Sequence, residues 1–456
     1  MFRKPQIPLF DFIASVSRTM DLMDSTLVSH NLRVAYIGLR IAEDIGLSLE
    51  RRKNVLWAGA LHDIGAFYFS ERRQLLRFEH EAPHQHAEAG YLMLRIFEPF
   101  DEIARIIRFH HVPWADGAGE TFRGLPVPIE SHILHLADRI AVLIPPDLIV
   151  PRQADKVRER IAQRVGKQFV PELAAAFERL AEKEYFWLET LSAALEGILR
   201  RALPTAWVDL DGEMLTQFAY LLCRLIDFKS QFTATHSSGV AAAAAALAQK
   251  IGFSNAEQQT MRIAAYLHDL GKLAVPAEIL EKPGGLSERE RDVMMGHVYF
   301  TYEILSRIDG FDTITAWSSL HQERMDGSGY PFHFTAKDLP LGARVMAVAD
   351  VFTALTENRP YRIGMPKEQA TRSLSQLAKG GALDARVVDE LIEHFDEINR
   401  LREEAQREAE RQYEEFARAL DNPDLSPPAP AADPASSQAG LTQDRVMSLT
   451  SFASGI

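Results

Sequence analysis

Residues able to hold metal ions occur in this chain in one order, written twice. The first half carries His30, the doublet His62-Asp63, His86, the pair His110-His111 and Asp138. The second carries His236, His268-Asp269, His297, His321 and Asp350. His30 and His62 lie 32 positions apart, as do His236 and His268, and the steps from His86 to His110 and from His297 to His321 are both 24. The last step slips by one, 28 against 29. Imidazoles and carboxylates without a thiolate suit Mn, Fe, Co, Ni or Zn rather than a structural cysteine-rich zinc site. One buried histidine is usually an ordinary core residue. A set repeated in order on separate elements would bury carboxylates uncompensated unless cations join them.

A carboxylate such as Asp269 has two oxygens and can bridge two cations. His236, His268 and Asp350 would complete one, while His297 and His321 hold its neighbour. Two metals about 3.5–4 Å apart activate water and stabilise both oxygens at a phosphorus centre, so phosphoester cleavage is the chemistry suggested. Lys272, three residues after Asp269, is placed to reach a non-bridging phosphate oxygen, or equally to sit solvated at a helix end.

The elements that must position these residues read as helices. Apolar residues follow His30 at Val34, Ile37, Ile41 and Ile45, and follow His236 at Val240, Ala243, Leu247 and Ile251. A second helix in each half runs into the doublet, and Gly65 and Gly271 are expected to end it as left-handed caps. Gly166 with FVPELAAAFERL corresponds to Gly381 with ALDARVVDELIEHF. Ala241–Ala246 is expected to permit close helix packing. Residues 1–200 are assigned to a first domain, 201–225 to a helical connector containing Pro204, and 226–398 to a second domain. Residues 399–422 form a charged helix, read as a solvated or short coiled-coil arm, and 423–456 a Pro/Ala/Ser-rich disordered tail.

At 456 residues the chain has room for two domains, each with its own core. A single cysteine, Cys223, excludes an internal disulfide framework and fits a reducing, cytoplasmic setting, with neither a signal peptide nor a membrane span in view. A net charge of −13 argues against binding polymeric nucleic acid but leaves room for a small anion held by metal.

The segments LHDLGKLAVPAEILEKPGGLSERE, GHVYFTYEIL, HQERMDGSGYP and ARVMAVADVFTALTENRPYR resemble, in order, the HD-GYP subgroup of the HD phosphohydrolase superfamily. The first half resembles a plain HD domain. The resemblance implies an all-α fold of two tandem helical HD domains and two divalent transition-metal ions per active site, Fe, Mn or another. The activity it implies is phosphodiesterase cleavage of a 3′-5′ cyclic dinucleotide, cyclic di-GMP or 3′,3′-cyclic GMP-AMP, to a linear one. On this reading Asp269 bridges and, with Lys272, is catalytic. Lys272, Gly329, Tyr330, Pro331 and Arg344 contact substrate.

Both halves depart from the pattern. His321-Gln322-Glu323 stands where the family has His-His-Glu, leaving Gln322 as a weaker ligand, and Phe232 replaces a glutamate tied to a third metal. The first half keeps His110-His111 but has Ala66 in place of the lysine and FHHVPWADGAGETF in place of the Gly-Tyr-Pro loop. These departures support an alternative, a degenerate module that binds nucleotide and signals through a protein partner or homodimer formed by the arm. A third reading places a nucleotide or alarmone phosphohydrolase in the first half.

Overall fold

The computed structural model describes residues 7–8, 10, 13–14, 17, 29–68, 84–144, 154–202, 207–208, 211–229, 235–282, 284–358 and 362–420. Phe232 and the tail assigned to 423–456 lie outside these residues. Helices dominate, as the periodicity requires. Among the described residues strand pairing amounts to two two-residue ladders, Ile7–Pro8 with Trp207–Val208 and Thr121–Phe122 with Leu125–Pro126, and isolated bridges between Val165 and Phe169 and between Asp326 and Thr335.

The first half is built from α1 (His30–Asp44), α2 (Leu49–Leu61), α3 (His84–Leu94), α4 (Asp101–Arg108) and α5 (Ile129–Leu143). Four further helices follow: α6 (Ala154–Ala162), α7 (Pro171–Ala181), α8 (Glu184–Thr190) and α9 (Leu195–Ala202). The connector is α10 (Gly212–Lys229), which overruns the boundary expected for it. The second half repeats the plan as α11 (His236–Ile251), α12 (Asn255–Leu267), α13 (Glu288–Leu305), α14 (Asp312–Ser319) and α15 (Leu341–Thr356). Then come α16 (Lys367–Lys379), α17 (Ala385–Glu393) and α18 (Phe395–Leu420).

The duplication is visible in the turns. Gly46 and Gly252, each 16 residues past the leading histidine, take positive φ of 75° and 96° and end α1 and α11. Ser48 and Ser254 then cap α2 and α12 two residues later, Ser254 with Glu257 in a reciprocal capping box. Gly166 and Gly381 share φ near +80° (82° and 81°), as their sequence alignment implies.

Two expectations are corrected. The halves do not have separate cores: one continuous apolar cluster runs through both, with Phe218 of α10 against Phe97 and Phe100 at ring distances of 5.1 and 5.9 Å. The charged arm is not wholly solvated either. α18 buries Phe395, Ile398, Arg402, Ala409 and Phe416 and lies along the alanine-rich α11, where small side chains let the backbones approach.

Candidate functional site

The doublet in each half sits where a helix stops. His268 caps the end of α12 and His62 that of α2, and a 3-10 turn follows each, Leu270–Ala274 and Ile64–Tyr68. Gly271 and Gly65 do not act as left-handed caps; their place is fixed by close approach. A Cβ on Gly271 would stand 1.8 Å from the His297 carbonyl oxygen, and one on Gly65 2.0 Å from that of His86. Only glycine lets the doublet cross the helix carrying the next histidine. Thr301, fully buried, pins the crossing by accepting from the Gly271 amide (2.9 Å) and donating to the His268 carbonyl (3.0 Å).

In the second half the two oxygens of Asp269 face different imidazoles. Oδ2 is 3.2 Å from His268 Nε2 and accepts from Lys272 Nζ at 2.6 Å. Oδ1 is 3.3 Å from His297 Nε2 and 4.0 Å from His321 Nε2. Asp350 Oδ1 lies 3.2 Å from His236 Nε2. Each of His268, His297 and His321 directs Nδ1 at the carbonyl three residues back, at 2.7, 2.5 and 2.6 Å. A carbonyl only accepts, so Nδ1 of each ring carries a proton and Nε2 is the nitrogen turned toward the carboxylates. These three Nε2 atoms are buried without a hydrogen-bond partner. Burial, then the neighbouring His268, pushes the His321 ring down to about 3, so it is neutral. Imidazole Nε2 atoms and carboxylate oxygens that converge in a buried place, the Nε2 atoms without hydrogen bonds of their own, are a donor set that fits divalent metal. His268, Asp269 and His321 form one group with ligand atoms within 4.8 Å of one another, and His236, His268 and Asp350 another.

His236 is held differently. Burial lowers its proton affinity, but Glu357 beside Nδ1 (3.0 Å) and Asp350 together raise it, to about 10. Asp269 sits well below the usual carboxylate range: burial opposes this, and His268 and Lys272 overcome it. Tyr330 is pushed up to about 12 by burial and then by the charges of Asp350 and Asp269, which places its phenol in their field.

The Gly-Tyr-Pro loop is anchored from below. A Cβ on Gly329 would lie 2.3 Å from the Arg324 amide nitrogen and 2.4 Å from Glu323 Cα. Buried Glu323 accepts from the amides of Phe332 (2.7 Å) and Phe334 (3.0 Å). Gln322 donates to Asp350 Oδ2 at 3.1 Å, so in this arrangement it orients a carboxylate rather than offering its own oxygen. Arg344, expected to touch phosphate, bonds the carbonyls of Leu339 (2.9 Å) and Ala336 (2.5 Å) and the Asp384 carboxylate (3.0 Å), which ties its guanidinium to the surrounding fold.

The first half assembles its residues too. Asp63 Oδ2 is 3.3 Å from His62 and Oδ1 3.8 Å from His86, and Asp138 Oδ1 is 3.3 Å from His30. His86, His110 and His111 converge, with His86 Nε2 3.0 Å from His111 Nε2 and 3.4 Å from His110 Nε2. Burial, followed by neighbouring imidazoles, holds His110 and His111 well below the ordinary histidine value. Sequence reading missed Arg139, which is buried and grips Asp138 Oδ2 from Nη2 at 2.5 Å. It also missed His135, buried on the same helix with its ring 6.0 Å from that of His111. Glu357 was missed as well, although its place seven residues after Asp350, two helical turns on, was a usable signal.

Comparison with known proteins follows this geometry. One HD domain family matches residues 27–143 and a second HD domain family matches residues 220–387. The chain is 28% identical over 399 residues to the 3′3′-cGAMP-specific phosphodiesterase 1 of Vibrio cholerae, covering 85% of this chain and 91% of that one. It is 32% identical over 256 residues to phosphodiesterase 3 of the same name and organism, covering 56% of this chain and 54% of the relative. A cyclic di-GMP phosphodiesterase response regulator of Xanthomonas campestris is 39% identical over 173 residues, 38% of this chain and 46% of that one. The fold is shared with a crystal structure of a cyclic GMP-AMP specific phosphodiesterase of V. cholerae, at TM-score 0.59 and 23% identity over 85% of this chain and 97% of that one.

Proposed function

This chain belongs to the HD superfamily as a tandem of an HD domain and an HD-GYP domain, and from that membership we propose that it is a metal-dependent phosphodiesterase opening a 3′-5′ cyclic dinucleotide, cyclic di-GMP or 3′,3′-cyclic GMP-AMP. The observation that carries the reading is Asp269. Its two oxygens look toward Nε2 atoms of different histidines, none of which has a hydrogen-bond partner, with Lys272 alongside.

Two divalent ions, when bound, supply Lewis acidity toward the phosphate and a water made more acidic. His236, His268, Asp269 and Asp350 would hold one, and Asp269, His297 and His321 the other. In the reaction water adds to phosphorus, the bond to the 3′ oxygen breaks, and that oxygen leaves with a proton. An ammonium has three donors, so Lys272 can keep its bond to Asp269 and also reach a phosphate oxygen. Tyr330 keeps its phenolic proton near neutrality and can donate it in a hydrogen bond to the same phosphate. A cytoplasmic place of action is part of this reading and rests on the single, fully buried thiol Cys223. Among the described residues no helix is long and apolar enough to cross a membrane.

The test is turnover. Full-length protein loaded with Mn²⁺, or anaerobically with Fe²⁺, is incubated with each cyclic dinucleotide and linear product is followed over many cycles. Sustained product that disappears in Asp269→Ala supports the reading. Tight nucleotide binding by the metal-loaded protein without product would replace it with the signalling module, the alternative that Gln322 motivates.

A further inference from the structure

The C-terminal helix α18 reaches the back of the second site through one side chain. Gln406 Nε2 donates to Glu357 Oε2 at 3.1 Å, and Glu357 in turn receives His236 Nδ1 at 3.0 Å. The opposite end of the amide, Oε1, accepts from Arg402 Nη1, and the Arg402 guanidinium is fixed by Asn399 Oδ1 at 2.9 and 3.0 Å. A guanidinium offers only donors and an ionised carboxylate only acceptors, so the amide of Gln406 has a single consistent orientation. Asn399, Arg402 and Gln406 stand at i, i+3 and i+7, on one face of α18. Arg402 is 3% and Glu357 4% exposed, with Asn399 and Gln406 half-buried beside them.

The helix beneath is cut to fit. Gly239 lies in α11 among alanines, where alanine would be the better helix former. A Cβ there would stand 2.8–3.0 Å from the Nε2, Cδ and Cγ atoms of Gln406. The missing methyl group is the space Gln406 occupies. A polar cleft of about 680 Å³, lined in part by Thr235, Asn358, Arg402 and Gln406, lies beside it, so a displaced Gln406 has somewhere to go.

We infer that Gln406 is a positioning residue for the second metal cluster: α18 uses it to hold Glu357, and through Glu357 the His236 ring, in ligating orientation. The inference rests on the reading that this cluster holds metal. A carboxylate that fixes the far nitrogen of a ligating histidine tunes both its angle and its basicity, and loss of such a partner weakens metal affinity about 10–100-fold.

The experiment measures Mn²⁺ affinity from the electron paramagnetic resonance signal of the free ion, on full-length protein carrying Asp63→Ala and His86→Ala, which break both ligand groups of the first half so that the second cluster is read alone. Thermal unfolding of the metal-free protein is followed in parallel. Gln406→Leu is expected to weaken Mn²⁺ binding at least tenfold while the unfolding temperature moves little. Gly239→Ala is the sharper probe: it improves the helix, so the metal-free protein holds or gains stability, yet Mn²⁺ binding falls as Gln406 is displaced. Gln412→Ala, which removes the bond from Tyr220 to the same helix while leaving Gln406 on Glu357, reports a lost stabilising contact of α18 and is expected to lower the unfolding temperature with Mn²⁺ affinity unchanged. Unchanged affinity in both Gln406→Leu and Gly239→Ala, with the parent binding Mn²⁺, overturns the inference and leaves the metal reading standing. A parent that binds no Mn²⁺ overturns both.

Discussion

Replacing Thr301 by valine tests how the second doublet is held. The shape of the side chain is nearly conserved, but the hydroxyl that accepts from Gly271 and donates to His268 is lost. The residue is fully buried, so no water replaces it. A buried donor or acceptor left unpaired costs about 1–3 kcal/mol, and two are left here. The His268 carbonyl ends a helix and keeps weaker options, so about 3 kcal/mol is the expected total. At roughly 2–4 °C per kcal/mol for a unit of this size, differential scanning calorimetry of the metal-free protein should show a fall of about 6–12 °C. Thr301→Ser keeps both bonds and loses one methyl, about 1 kcal/mol. The predicted order is therefore threonine, serine, valine, whereas apolar packing alone would put valine first and serine last. A valine variant at least as stable as the serine variant would refute the argument.

Other outcomes follow from the same geometry. Gln322→His places a second imidazole beside Asp350 and is expected to tighten Mn²⁺ binding to the second cluster about tenfold; a titration showing no gain counts against a ligating position there. The His236 ring, with a proton affinity raised to about 10 in the metal-free protein by Glu357 and Asp350 against the effect of burial, must shed its proton to ligate. Mn²⁺ affinity should consequently rise with pH, about tenfold per unit between pH 6 and 8, while His321, already neutral, adds no slope. A flat profile would show that His236 does not bind the ion. Finally, Asp269→Ala is expected to abolish turnover and Asp63→Ala to spare it; loss of turnover in Asp63→Ala but not in Asp269→Ala would reassign the activity to the first half.

How much was legible depended on whether a residue's role was local. Helices α1 and α11 followed from apolar spacing, because a 3.6-residue period and a leading histidine are properties of one segment. The ligand-type residues were legible because the duplication wrote them twice. What the sequence hid was contact between segments far apart. Gly65 and Gly271 looked like helix caps, and only the crossing with α3 and α13 reveals that a methyl group there would strike a backbone carbonyl. Arg344 looked available for phosphate, and only tertiary structure shows it bonded to Leu339, Ala336 and Asp384. The charge-rich α18 looked solvated because Arg402 counts as polar in any hydropathy pattern, although here it is buried and fully used.

The two halves differ most in where they keep their cation, and that difference bears on which half can act. Beside the doublet, the second half has Lys272 on Asp269, while the first has Ala66 at the matching place. Beside the last aspartate the pattern inverts: Arg139 grips Asp138, whereas Val351 follows Asp350. Arg139 is 3% exposed and its Nη2 lies against Asp138 Oδ2, so its charge neutralises a carboxylate inside the protein. With one oxygen of Asp138 so occupied, the first site relies more on the converging rings of His86, His110 and His111, which add no negative charge to a bound ion. In the second site the cation beside the doublet, Lys272 on Asp269 Oδ2, keeps 16% of its side chain accessible. Charge developing on a phosphate is stabilised by a cation that reaches it, not by one sealed behind a ligand. Repetition of the ligand-type residues in both halves therefore does not make them equivalent, and we propose that the placement of a single positive charge favours hydrolysis in the second.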